Sequence, residues 1–263
     1  MEKQFIQLKD SVEIAYQLVQ PAELQADFII VFLHEALGSI GQWRRFPQLL
    51  CDALGAKGLI YERQGYGSSS PFSSKRDSSY LEKYALDEMP QVIGKLAPNE
   101  KIIPVGHSDG GSIALLYASE YPENILGVIT IAAHVIVEDV TLAGIQPAID
   151  AYQEGKLDGL KKYHGEKTEA VFYAWAHTWL SEEYLSWDIC DKIEQSIPSL
   201  ILQGDQDEYG TEKQLELIES KLKNATTYLI PDCHHQPHLE KTEEISVLLK
   251  DWISREILKR KQN

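Results

Sequence analysis

Short apolar runs alternate regularly with longer amphipathic stretches along this chain, and that alternation limits its folds more than any other feature. Residues 28–33 read FIIVFL, apolar at every position, as a strand buried on both faces must be. The Gly-containing loop HEALGSIGQW follows, then WRRFPQLLCDAL with helical spacing, where Pro47 restricts the first turn. The same sequence of events recurs. KGLIYE reads as a strand, RQGYGSSSP as a loop, and YLEKYALDEMPQVIGKL as a helix broken or kinked near Pro90. KIIPV, ILGVITIAA, SLILQG and TTYLI are further strands; GGSIALLYASEY, EKQLELIESKL and EEISVLLKDWISREILKRK are the helices between and after them. Strand and helix in strict succession build βαβ units, so the expected class is α/β, with a mostly parallel central sheet and helices on both faces.

Two stretches depart from the rhythm. At the start, QFIQL and VEIAYQLV alternate apolar and polar residues around KDS, the pattern of a hairpin. From His134 to about Ile197 no strand-like run occurs, and Tyr152, Tyr163, Tyr173, Trp175, Trp179, Tyr184 and Trp187 crowd together at helix-compatible spacing. The expected organisation is therefore a core of residues 1–134 and 198–263 with a helical lid of residues 135–197 inserted into it. An insertion leaving a strand's C-terminal end sits beside the place where open α/β sheets bind ligands. Trp175 and Trp179 are its candidate substrate contacts.

The 263 residues suffice for a large core, and 43% hydrophobic with 25% charged residues is ordinary for a folded chain. A formal net charge of −15 repels phosphate backbones and anionic membranes, so nucleic acid and membrane partners are not expected. The cysteines, Cys51, Cys190 and Cys233, are scattered and odd in number, which suits a reducing compartment. The first residues, MEKQFIQLKD, lack the apolar run of a signal peptide, and no stretch is apolar enough to span a bilayer. A cytoplasmic protein with a small-molecule substrate is expected; a homodimer is left open. No internal repeat stands out.

Chemistry concentrates in IIPVGHSDGGSIALLYA. Gly106-His107-Ser108-Asp109-Gly110 fits G-x-S-x-G between an apolar strand and a helix, the setting of a nucleophile elbow. The sharp turn lifts the Ser108 hydroxyl from the sheet, and the helix that follows aims backbone N–H groups at a developing oxyanion. A P-loop is ruled out by the missing lysine and by the acidic Asp109. Serine needs a base, and the base an orienting carboxylate, in the chain order Ser, acid, His. Acids follow SLILQG at Asp205, Asp207 and Glu208; histidines follow TTYLI at His234, His235 and His238. Cys233 lacks the elbow context of a nucleophile. A metal on the three histidines is opposed by Pro237 and by the lack of any other ligand cluster, so no metal or cofactor is expected.

With these motifs the chain resembles the α/β-hydrolase superfamily over nearly its whole length. Gly204-Asp205-Gln206-Asp207 matches the family's G-x-x-D, which implies Asp207 as the acid. His234-His235-Gln236-Pro237-His238-Leu239-Glu240 matches G-H-x-P-H-x-E except at its first position, which implies His235 as the base and His238 as a packing or capping residue. The resemblance implies an oxyanion hole from the N–H groups of Asp109 and Ala36. The latter lies in His34-Glu35-Ala36, where the family usually has His-Gly-x, and Gly38 is expected to restore the flexibility lost to Glu35. Glu62-Arg63-Gln64-Gly65-Tyr66-Gly67-Ser68-Ser69 looks like the family's structural D-x-x-G-x-G-x-S loop. Ser-Asp-Gly-Gly at the elbow is similar to the valacyclovirase (biphenyl hydrolase-like) branch, whose members cleave α-amino acid esters; Asp109, with Glu35, is then a candidate contact for a substrate ammonium group. The simpler alternative for Asp109 is a cap on a helix starting at Gly110. The expected function is a serine hydrolase of a small ester, thioester or lactone. The rivals are a C–C bond hydrolase of the meta-cleavage type and a small-molecule receptor that keeps the triad.

Overall fold

Residues 3–258 are described by a computed structural model of the chain. The hairpin is present: β1 (Gln4–Gln7) pairs antiparallel with β2 (Glu13–Val19) around a tight turn in which Asp10 and Ser11 take positive φ. β3 (Phe28–Leu33), buried at every position, lies between β4 (Lys57–Tyr61) and β5 (Lys101–His107) and is parallel to both. β6 (Val128–Ile131), β7 (Ser199–Gly204) and β8 (Ala225–Ile230) extend the parallel array. The sheet is eight-stranded, in the order β1-β2-β4-β3-β5-β6-β7-β8, and β2 runs antiparallel to β4. β6 is shorter than its apolar run suggests, because the chain leaves the sheet at Ala132, whose φ is 52°.

α1 (Phe46–Leu54) follows β3, α2 (Tyr80–Lys83) and α3 (Met89–Leu96) follow β4, and α4 (Asp109–Glu120) follows β5. α5 (Asp139–Gln153), α6 (Lys161–His164) and α7 (Thr168–Trp179) lie between β6 and β7. α8 (Glu212–Lys221) follows β7, and α9 (Pro237–Glu240) and α10 (Thr242–Ile253) follow β8. Pro47 occupies the first turn of α1, where its missing N–H has no partner to lose. Near Pro90 the helix does not break. A single wide π turn, Tyr84–Glu88, joins α2 to α3 and takes up the strain.

The apolar stripes decide the layering. Phe46, Leu50 and Leu54 of α1 meet Leu249 and Trp252 of α10 over one face of the sheet. Met89 and Val92 of α3, Ile113 of α4 and Ile218 of α8 cover the other. α4 is buried on nearly all sides, so its apolar residues form no stripe. Trp175, Trp179, Tyr184 and Trp187 join the second core, with Tyr184 and Trp187 stacked at 5.1 Å. The segment carrying them is closed at its base: Ile189 N–H donates to Val135 O at 2.9 Å, and Val135 N–H to Gln214 Oε1 at 2.8 Å. Among the described residues no helix is long and apolar enough to cross a membrane.

Candidate active site

Every parallel strand ends at the same edge of the sheet, and the loops there carry the candidate residues. Ser108 sits between β5 and α4 with φ 52° and ψ −119°, a conformation an L-residue holds only when its surroundings force it. The forcing comes from close packing of backbone. A Cβ on Gly106 would lie 2.0 Å from Gly110 O, and one on Gly110 would lie 1.9 Å from Leu33 O. Only glycines let the turn come this close to β3.

Asp207 and His235 come together from the loops after β7 and β8. His235 Nδ1 is 2.8 Å from Asp207 Oδ1 and 2.9 Å from Oδ2. Tyr209 N–H and Gly210 N–H also donate to Oδ1, at 2.9 and 3.3 Å, which fixes the carboxylate. Burial alone would lower His235, but the charge and hydrogen bond of Asp207 outweigh it and the imidazole is raised above its ordinary range. Nδ1–H donates to the acid, so Nε2 carries the lone pair. Ser108 and His235 open onto one cavity of about 590 Å³. Ala36 and Asp109 line it too, and Asp109 is the first residue of α4, so its N–H has no partner within the helix. Trp175, Trp179 and the Pro147–Ala148 stretch of α5 form the apolar wall.

The neighbouring acids and histidines separate by environment. Asp205 and His234 are exposed, and His234 pairs with Glu240. His238 is buried against Trp43 at 4.9 Å and Phe46 at 5.6 Å, well inside the core. Burial raises the Cys233 thiol to about 12, so it stays protonated. No group of three or more His, Cys, Asp or Glu able to hold a metal ion occurs among the described residues.

Both acids beside the expected oxyanion hole are turned to other partners. Glu35 Oε2 is 3.6 Å from His107 Nδ1. Burial would raise Glu35, yet His107 draws it below the usual carboxylate value. Gly38 serves this acid by giving room, not by flexibility. A Cβ there would lie 2.3 Å from Glu35 Oε2. Asp109 belongs to the helix and does not cap it; its Oδ2 accepts from Tyr80 OH at 3.0 Å and lies 4.0 Å from Arg63 Nη2. Its Oδ1 is buried without a partner. Burial raises its pKa, opposed by Arg63, Arg76 and Tyr80.

Several residues take places at the site that the sequence motifs do not assign. Tyr80 OH also accepts from Trp179 Nε1 at 3.0 Å, tying α7 to the elbow. Glu208 lines the cavity, and its Oε2 accepts the His235 N–H at 3.2 Å. His134, just past β6, lines it as well; burial, then the charge of His235, lowers it to about 4, so it is neutral. His164 of α6 accepts from Gly67 N–H at 3.0 Å through Nδ1 and donates from Nε2 to Leu37 O at 2.9 Å. Position at a strand's C-terminal end, the signal that found Asp207 and His235, also marks Arg63 and His134.

Strand order and the place of the strained serine are those of α/β hydrolases. A model of the alpha/beta hydrolase fold matches residues 29–185, and the chain belongs to that family. It is 26% identical over 240 residues to a proline iminopeptidase of Thermoplasma volcanium, covering 76% of this chain and 80% of that one. It is 24% identical over 205 residues to the human serine hydrolase BPHL, covering 74% of this chain and 68% of the relative. A solved proline iminopeptidase from Mycobacterium smegmatis superimposes with a TM-score of 0.72 at 15% identity, over 98% of this chain and 100% of the other. The protein is a hydrolase by family.

Proposed function

We propose that the protein is a serine hydrolase that cleaves a small carboxylic ester through an acyl-enzyme and prefers substrates bearing an amine. His235, hydrogen-bonded to Asp207 and sharing one cavity with a strained Ser108, carries the reading. Ser108 Oγ attacks the carbonyl carbon as its proton passes to His235 Nε2. Asp207 holds the Nδ1–H and stabilises the imidazolium. The N–H groups of Ala36 and Asp109 receive the oxyanion. His235 then gives its proton to the leaving oxygen, and water, activated by the same imidazole, releases the acid and restores Ser108. Residues 135–197 act as the lid, with Trp175 and Trp179 against the substrate's apolar part.

The amine preference rests on charge. Glu35, Asp109 and Glu208 line the cavity, and no lysine or arginine does so among the described residues. A cationic group gains there and a carboxylate loses. The unpartnered Oδ1 of Asp109 is the oxygen assigned to the ammonium group. The relatives named proline iminopeptidase fit a substrate of this kind.

The test compares α-amino acid esters, their des-amino analogues and an N-terminal proline amide, in wild type, Ser108→Ala and Asp109→Asn. Ser108→Ala should abolish turnover with the fold intact. The amino ester should win in wild type and lose its advantage in Asp109→Asn. An unchanged preference in that variant refutes the ammonium role, and activity in Ser108→Ala refutes the nucleophile.

A further inference from the structure

The second donor of the oxyanion hole lies in a loop with no regular structure, so something must hold its N–H in place. A trans peptide is planar, with C=O and N–H pointing opposite ways. The Ala36 N–H is therefore aimed by whatever grips the carbonyl of Glu35. Three donors grip it: Arg63 Nη2 at 3.0 Å, His34 Nδ1 at 2.7 Å and Gly38 N–H at 3.1 Å. Arg63 is the common element. Its Nη1 donates to His34 O, and its own backbone N–H donates to His34 Nε2 at 3.2 Å. That last bond leaves the His34 proton on Nδ1, where it must be to reach Glu35 O. Burial, then the charge of Arg63, keep His34 neutral.

Arg63 is itself enclosed. It is fully buried, and its guanidinium lies 4.8 Å from the Tyr66 ring and 5.1 Å from the Tyr84 ring. The same group reaches the other donor. Nη2 is 4.0 Å from Oδ2 of Asp109, whose N–H is the first half of the hole. A carboxylate next to a developing oxyanion opposes the reaction; the guanidinium offsets that charge from behind.

We propose that Arg63 is the positioning residue of the oxyanion hole, aiming the Ala36 N–H through the Glu35 carbonyl and compensating the charge of Asp109. The role rests on the serine-hydrolase reading above. It gives a function to an arginine in the E-R-Q-G-Y-G loop that the sequence marks only as structural. Arg63 touches no substrate and does not line the cavity.

The experiment follows a p-nitrophenyl ester and an alkyl boronic acid, whose serine adduct places an oxygen in the hole. Wild type, Arg63→Lys, Arg63→Gln and Ser108→Ala are compared, with melting temperature measured for each. In Arg63→Gln, kcat should fall roughly 100-fold, as for a displaced oxyanion donor, while KM changes less than about threefold. Boronate affinity should fall in parallel with kcat. Arg63→Lys keeps the charge but not the fork, and should lie between the two. Wild-type kcat and boronate affinity in a folded Arg63→Lys or Arg63→Gln overturns the proposal, as does a loss confined to KM. If Arg63→Gln does not fold, Arg63→Lys decides. Turnover in Ser108→Ala would instead overturn the nucleophile assignment, so the two failures are distinct.

Discussion

Replacing Asp207 by asparagine tests the acid–histidine pair with the least change in shape. The outcome follows from which oxygen does what. Tyr209 N–H and Gly210 N–H both donate to Oδ1, so the amide oxygen of Asp207→Asn stays there. The NH2 group then takes the place of Oδ2, 2.9 Å from His235 Nδ1, and sets N–H against N–H. The imidazole relieves this by moving its proton to Nε2, the atom that must accept from Ser108. The charge that stabilises the imidazolium is lost as well. Together these should lower kcat about ten thousand-fold, or about 5.4 kcal/mol of barrier. Steady-state hydrolysis of an activated ester across pH gives the readout, with thermal melting as a control for folding. The base works only when neutral, so wild-type activity should fall as pH drops through the raised value of His235. Without Asp207 the largest raising influences are gone and burial is opposed only by the weaker charges of Glu208 and Glu35, so the acid limb of any residual activity should move to lower pH. A folded Asp207→Asn with wild-type kcat and an unmoved acid limb would refute the reasoning.

Ser108→Gly removes the side chain from a positive-φ site, so it should raise stability by about 1 kcal/mol while ending turnover; a lowered melting temperature contradicts the strain. His164→Ala cuts both bonds that dock α6 on the Gly67 and Leu37 backbone and should cost about 1–3 kcal/mol. Hydrogen exchange should quicken around α6 and KM should rise, whereas unchanged exchange there would show that the histidine does not hold the segment.

The alternation of apolar runs made the parallel sheet legible, because a strand buried on both faces has no polar positions to hide. The elbow was legible because its glycines are steric necessities. Asp207 and His235 could be chosen from among close neighbours only through the family pattern. The structure then separates them from Asp205, His234 and His238, since His235 faces the cavity with Asp207 hydrogen-bonded behind it, while Asp205 and His234 face solvent and His238 the core. Contacts between distant segments had no local signal. Tyr80 meets Asp109 and Trp179 through side chains 29 and 99 residues away in the chain. Pro90 marked an irregularity in the helix, but not that the chain passes it in a π turn without breaking.

The sequence alone determined the class of fold, the strained turn at Ser108 and the chain order of the candidate serine, acid and histidine, because each follows from local sterics or from chain order. The tertiary structure decided what surrounds them. It turned Glu35 toward His107 and Asp109 toward Tyr80 and Arg63, which gives the two acids beside the candidate oxyanion hole partners that the sequence does not show. Such an outcome depends on the direction in which buried side chains point, and that is fixed only when separate strands deliver their partners to one edge of the sheet.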